Sequence, residues 1–179
     1  LAIQEDLFGR KHYVIADTLA EIGNMKMKET EFIEAEIYHE KALRIRETAL
    51  GKRHPDCAKS HGSIGIIKCC EGDYEEGLRI LGFALKLTMK AFGKYHLLTS
   101  TCFANIGLAM IRKNNYDDAM NQCETCLEIR KELLGQTHPK YAEALCVLGQ
   151  IETKKGNHES AVNTLSEAMT VFEKVFGSS

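Results

Sequence analysis

The stretch Leu50–Ala58, LGKRHPDCA, returns 84 residues later as LGQTHPKYA, Leu134–Ala142. Each copy reads as a helix stop followed by a helix start. Glycine ends a helix by taking up backbone angles closed to other residues, and proline suits a first helical turn, where its missing N–H is not needed. The punctuation recurs at half that distance. His12, His54, His96 and His138 stand 42 residues apart, as do Gly9, Gly51, Gly93, Gly135 and Gly177, and also Gly23, Gly65, Gly107 and Gly149. Three markers sharing one period in this range define a solenoid or repeat array.

Within a period the pattern is a helix, a short turn and a longer helix. In residues 54–95, Pro55 takes the first helical position and a helix runs to about Cys70. Asp73 is placed to cap the next helix, with Glu76 completing a capping box. That helix runs from Tyr74 to Phe92 with Leu78, Leu81, Leu85 and Met89 on one face, and Gly93 supplies a left-handed cap. Asn115 and Asn157 repeat the N-cap; the first repeat has Glu31 there, or Thr30 beside it. Small residues recur where helices must approach closely. They are the four helix-one glycines from Gly23 to Gly149, then Ala35, Gly77, Ala119 and Ala161, then Ala42, Ala84, Cys126 and Ala168.

A formal net charge of −2 gives no electrostatic reason to expect nucleic acid or an anionic membrane as partner. No apolar run approaches the roughly 18 residues of a membrane span. Seven cysteines, an odd number in a chain too large to need staples, read as reduced thiols of an intracellular, cytoplasmic protein.

A small residue in the first helix, Ala early in the second and Ala again seven positions later resembles the tetratricopeptide repeat. The usual repeat has about 34 residues. The 42-residue form with LG and HP at its junctions, and Ala42-Leu43-Arg44-Ile45-Arg46-Glu47 upstream, resembles the repeats of kinesin light chain. The resemblance implies an all-α fold, a right-handed α-solenoid of stacked antiparallel helix pairs. The repeats are expected at 12–53, 54–95, 96–137 and 138–179, as one continuous solenoid. Residues 1–11 align with the tail of a preceding repeat's second helix, and the chain reads as part of a longer array.

The resemblance also implies a function: a non-catalytic interaction scaffold whose first helices line a concave groove for a partner's peptide. The groove positions are Asn24, Lys28, Ile66, Asn105, Leu108, Ile111, Arg112 and Gln150. Leu108 and Ile111 would offer apolar contact, Asn24 and Asn105 hydrogen bonds to a peptide backbone, and Arg112 and Lys28 partners for acidic side chains. The set of Lys, Asn and Arg that grips a C-terminal carboxylate is not kept: Ala20, Ser63 and Thr101 stand in those places. Of the paired asparagines in kinesin light chain first helices, only Asn105 is present. The alternative is a structural spacer or self-assembling array, consensus-derived or designed, stacking end to end without a dedicated ligand.

Chemical readings carry less weight. Cys123 and Cys126 share a helix face like half a zinc site or a redox pair, yet they occupy positions held elsewhere by His39, Leu81 and Leu165, and by alanine. They read as buried packing. Cys69 and Cys70 read as groove or wall, open to oxidation if exposed. The periodic histidines, about 10 Å apart by helix-layer spacing, are too distant to share a metal and read as helix caps. His61 reads as a half-buried packing residue. No phosphate loop, dinucleotide turn or nucleophile elbow occurs, so neither an enzyme nor a cofactor or metal is expected.

Overall fold

In a computed structural model, the described residues are 13–177, less the side chain of Tyr13. Among them are eight α-helices and no strand, in four pairs joined by short turns. The helices are α1 (Tyr13–Lys28), α2 (Phe32–Leu50), α3 (Cys57–Cys70), α4 (Tyr74–Phe92), α5 (Leu97–Arg112), α6 (Tyr116–Leu134), α7 (Pro139–Lys154) and α8 (His158–Phe176). The chain is an all-α helical-repeat solenoid. It divides between Ala91 and Phe92 into two compact units. His12, Gly9 and the expected tail at 1–11 lie outside the described residues.

Two of the periodic histidines, His96 and His138, cap first helices. Nδ1 of His96 accepts the Leu98 N–H at 3.1 Å, and Nδ1 of His138 accepts the Lys140 N–H at 3.1 Å. Each thereby satisfies one of the amides a helix start leaves without a partner. His54 does the same for Asp56 at 3.2 Å, but helix α3 begins only at Cys57. Pro55 therefore precedes its helix, whereas Pro139 opens α7. At α3 the entry winds tightly, with bonds from Cys57, Ala58 and Lys59 N–H reaching back three residues, not four.

The second helices are capped less uniformly than their sequence suggests. Asp73 accepts the Glu76 N–H at 3.1 Å, but the Glu76 carboxylate turns to Arg79, taking two bonds of 2.6 Å, so the box stays half closed. Asn115 accepts the Asp118 N–H at 3.4 Å; Asn157 and Glu31 make no side-chain cap. Thr30 does not substitute for Glu31, because its hydroxyl donates to the Glu29 carbonyl. The C-terminal glycines have positive φ, yet ψ of 149° at Gly51 and 166° at Gly135 takes them out of the left-handed helical region into angles essentially reserved for glycine.

Each pair is zipped by its small residues. A methyl group on Gly65 would lie 2.7 Å from Leu81 Cγ, and one on Gly149 would lie 2.6 Å from Leu165 Cγ. Ala35, Ala42, Ala84, Ala119, Cys126, Ala161 and Ala168 are all buried. A fully buried leucine such as Leu81 contributes about 2 kcal/mol of transfer free energy to such a seam. Within the first unit α1 touches α3 as well as α2, and within the second α5 touches α7 as well as α6. Two first helices and the second helix between them therefore bound a space in each unit.

Candidate functional site

That space is a cavity in both units, built from the same positions 84 residues apart. In the second unit it measures about 250 Å³. Helix α5 contributes Thr101, Ala104, Asn105 and Leu108; α7 contributes Lys140, Glu143, Ala144 and Val147; Cys123, Cys126 and Arg130 of α6 line it from between them. In the first unit it measures about 320 Å³. There α1 contributes Asp17, Ala20, Glu21 and Asn24, α2 contributes His39 and Arg46, and α3 contributes Lys59 and Ser63.

One position is charged and buried in both. Arg130 is 5% exposed, and its Nη1 donates to the Lys140 carbonyl at 2.5 Å, with the Glu143 carboxylate at 3.7 Å. Arg46 is 4% exposed; Nη1 donates to Ser60 Oγ at 2.5 Å and Nη2 to Asp17 Oδ1 at 2.6 Å. A buried guanidinium is tolerated only when its donors are satisfied. In each unit these bonds tie a second helix to the first helix that follows it.

Elsewhere the two linings diverge. Leu108 and Val147 line the second cavity where the first has Asn24 and Ser63. Thr101 and Asn105 replace Asp17 and Glu21, and Glu143 replaces Lys59. Cys123 replaces His39, and its Sγ donates to the Ala144 carbonyl at 3.4 Å. Burial pushes the Cys123 thiol up to about 12, with the neighbouring Cys126 adding to it, and burial raises Cys126 too. Such thiols are poor nucleophiles and poor metal ligands at neutral pH. All seven cysteines are thiols, none in a disulfide. Cys69 is buried, so the expectation that it is open to oxidation is corrected; Cys70 is half-buried.

His39 has both ring nitrogens buried without a hydrogen-bond partner. Its pKa is held down at about 4, first by loss of solvent and then by the nearby Arg46 charge. His61 stacks edge-on against Phe83 at 5.1 Å, with burial lowering its pKa as well.

The eight expected groove residues distribute as follows. Asn105 and Leu108 meet in the second unit's cavity, and Asn24 lines the first unit's. Ile111 is half-buried against the cluster of Ala119, Cys123 and Ile151, where it packs helices together. Ile66 is half-buried on α3, while Lys28, Arg112 and Gln150 are exposed. Sequence reasoning missed Arg46 and Arg130. Their 84-residue spacing was visible, but they stand on second helices, whose residues were read only as packing.

Tetratricopeptide-repeat family models match residues 15–56, 56–122 and 111–174. The chain therefore belongs to the tetratricopeptide-repeat family, whose members are protein-interaction scaffolds. Among solved structures it is similar to BtubC (BKLC) from P. vanneervenii, with a TM-score of 0.72 and 17% identity, covering 92% of this chain and 65% of that one. It thus spans just under two thirds of that protein's length. A putative kinesin light chain of Podosopora anserina with nearly identical TPR-like repeats gives 0.64 at 18% identity, covering 99% of this chain and 84% of that one. The apo form of RapI gives 0.66 at 17%, covering 89% and 56%. No curated protein sequence matches. No helix among the described residues is long and apolar enough to cross a membrane.

Proposed function

We propose that the chain, read as four 42-residue repeats at 12–53, 54–95, 96–137 and 138–179, holds a peptide segment of a partner protein. The second unit's cavity would seat one apolar side chain. The observation that carries this reading is that Leu108 of α5 and Val147 of α7 line one cavity, with Asn105 one turn before Leu108 on α5. Leu108 and Val147 supply the apolar contact and Asn105 an amide for the peptide backbone. Arg130 serves the frame: its bonds already go to the protein. The thiol chemistry suits a reducing compartment, and we place the protein in the cytoplasm.

The test is a peptide-display selection on the whole chain beside Leu108→Glu and Asn105→Ala, with helicity confirmed by circular dichroism. Selected peptides should carry a recurrent aliphatic residue. Leu108→Glu should weaken them at least about tenfold, or roughly 1.4 kcal/mol, and Asn105→Ala by less. Peptides bound equally well by folded Leu108→Glu would move the site off this cavity.

A further inference from the structure

At the second and sixth residues of the second helices, three repeats carry polar side chains. They are Glu75 and Arg79 on α4, Asp117 and Asn121 on α6, and Glu159 and Asn163 on α8, and all six are exposed. On α2 the same two positions hold Ile33 and Ile37. Ile33 is 74% exposed and Ile37 45%. One helical turn apart, they form a single apolar stripe. Its exposure does not depend on what stands before α2. The pair α3–α4 packs on the pair before it, yet Glu75 and Arg79 remain exposed. The face meets solvent with or without a preceding repeat, and α2 alone of the four second helices furnishes it with isoleucine.

Beside the stripe is a recess of about 540 Å³, lined by Thr30, Glu31, Phe32, Ile33, Glu34 and Glu71. None of these lines the first unit's cavity. Two are large and apolar, three are glutamates and none is cationic. Lys26 Nζ lies 2.5 Å from Glu31 and 3.1 Å from Glu34, and it serves Glu29 as well at 3.4 Å. Lys68 serves both Glu71 at 3.2 Å and Glu36 at 2.6 Å. Two lysines are thus shared among five glutamates. An ionised carboxylate can accept about four hydrogen bonds, so each keeps room for another donor. Apolar side chains rimmed by charge mark contact surfaces, and the sign of the rim selects the partner.

We propose that Ile33, Ile37 and this recess dock a basic segment of another protein. The segment sets a large apolar side chain against the isoleucines and flanks it with arginine or lysine for the glutamates. Arginine suits the place best, because it takes a carboxylate through two parallel bonds. The chain's own net charge of −2 disfavours a second copy as the occupant.

The experiment is fluorescence anisotropy on the whole chain, with synthetic peptides carrying a central leucine or phenylalanine flanked by arginines. Two comparison peptides replace the central residue by serine, or the arginines by glutamates. The first peptides should bind, more weakly as salt is raised, and both comparisons should bind at least about tenfold less well. Ile33→Glu with Ile37→Asn copies Glu159 and Asn163 of α8, so its helicity should be unchanged by circular dichroism. It should lose binding at least about tenfold even though it adds a negative charge. Glu31→Gln with Glu34→Gln should weaken binding several-fold and flatten its salt dependence. Absence of binding overturns the proposal, as does binding that the folded isoleucine variant retains, or a serine peptide that binds as well. Self-association in sedimentation velocity that the isoleucine variant abolishes also overturns it, since the occupant is then a second copy.

Discussion

His39 and the glycines show how much a single side chain decides here. Because the folded state holds the His39 imidazole at about 4 instead of 6.5, the unfolded chain takes up a proton first as pH falls. Stability from this residue is complete above pH 6.5 and is lost between there and pH 4, a loss on the order of 3 kcal/mol. Urea denaturation across that range should show His39→Leu, which copies Leu81 and Leu165, to be markedly less pH-dependent than the wild type; parallel curves would refute the assignment. At the helix-one glycines the partner side chain sets the outcome. An added methyl at Gly65 meets Leu81 at 2.7 Å, whereas at Gly107 its nearest neighbour is the Ala119 carbonyl at 3.5 Å. Gly65→Ala should destabilise by about 1–2 kcal/mol through overpacking. Gly107→Ala should stabilise by about 0.5–1 kcal/mol through helix propensity. Equal shifts in the denaturation midpoint would contradict this account.

At the scale of helices and turns, boundaries follow backbone needs that residue types only partly reveal. The turn inside each pair requires a positive φ at one fixed position: 61° at Thr30, 94° at Gly72, 61° at Asn114 and 83° at Gly156. Threonine is the poorest fit, since a β-branched side chain crowds the backbone there. Thr30→Gly should raise stability by about 1 kcal/mol, read as a higher urea midpoint at unchanged slope; no change would mean the turn is relaxed. The sequence period made this turn legible, and the same period made the histidine caps legible. The failure of Asn157 to cap was not: whether an amide closes onto a backbone N–H depends on a rotamer choice that asparagine leaves open. Pro55 was misplaced by two residues: the entry to α3 winds through three-residue bonds from the Cys57, Ala58 and Lys59 N–H groups, and the helix begins only at Cys57.

Across the whole molecule, the repeat fold was legible almost entirely, since glycine and alanine columns record helix-to-helix distance directly. The candidate site was legible in part. Asn105 and Leu108 do line one cavity, but Ile111 serves a core cluster, and the buried arginines escaped notice. Periodicity reports which positions are equivalent; it does not report which of them face a space shared by three helices. The equivalence of the two cavities has its own consequence. Their walls are set by residues that never enter them: the glycines and alanines of the seams and the histidines at the junctions. Lining residues such as Lys59 and Glu143, or Ser63 and Val147, can therefore exchange wholesale without moving the backbone that holds them. The frame and the message are inherited separately, and a duplicated pair of repeats becomes free to acquire a second vocabulary while the first stays in use.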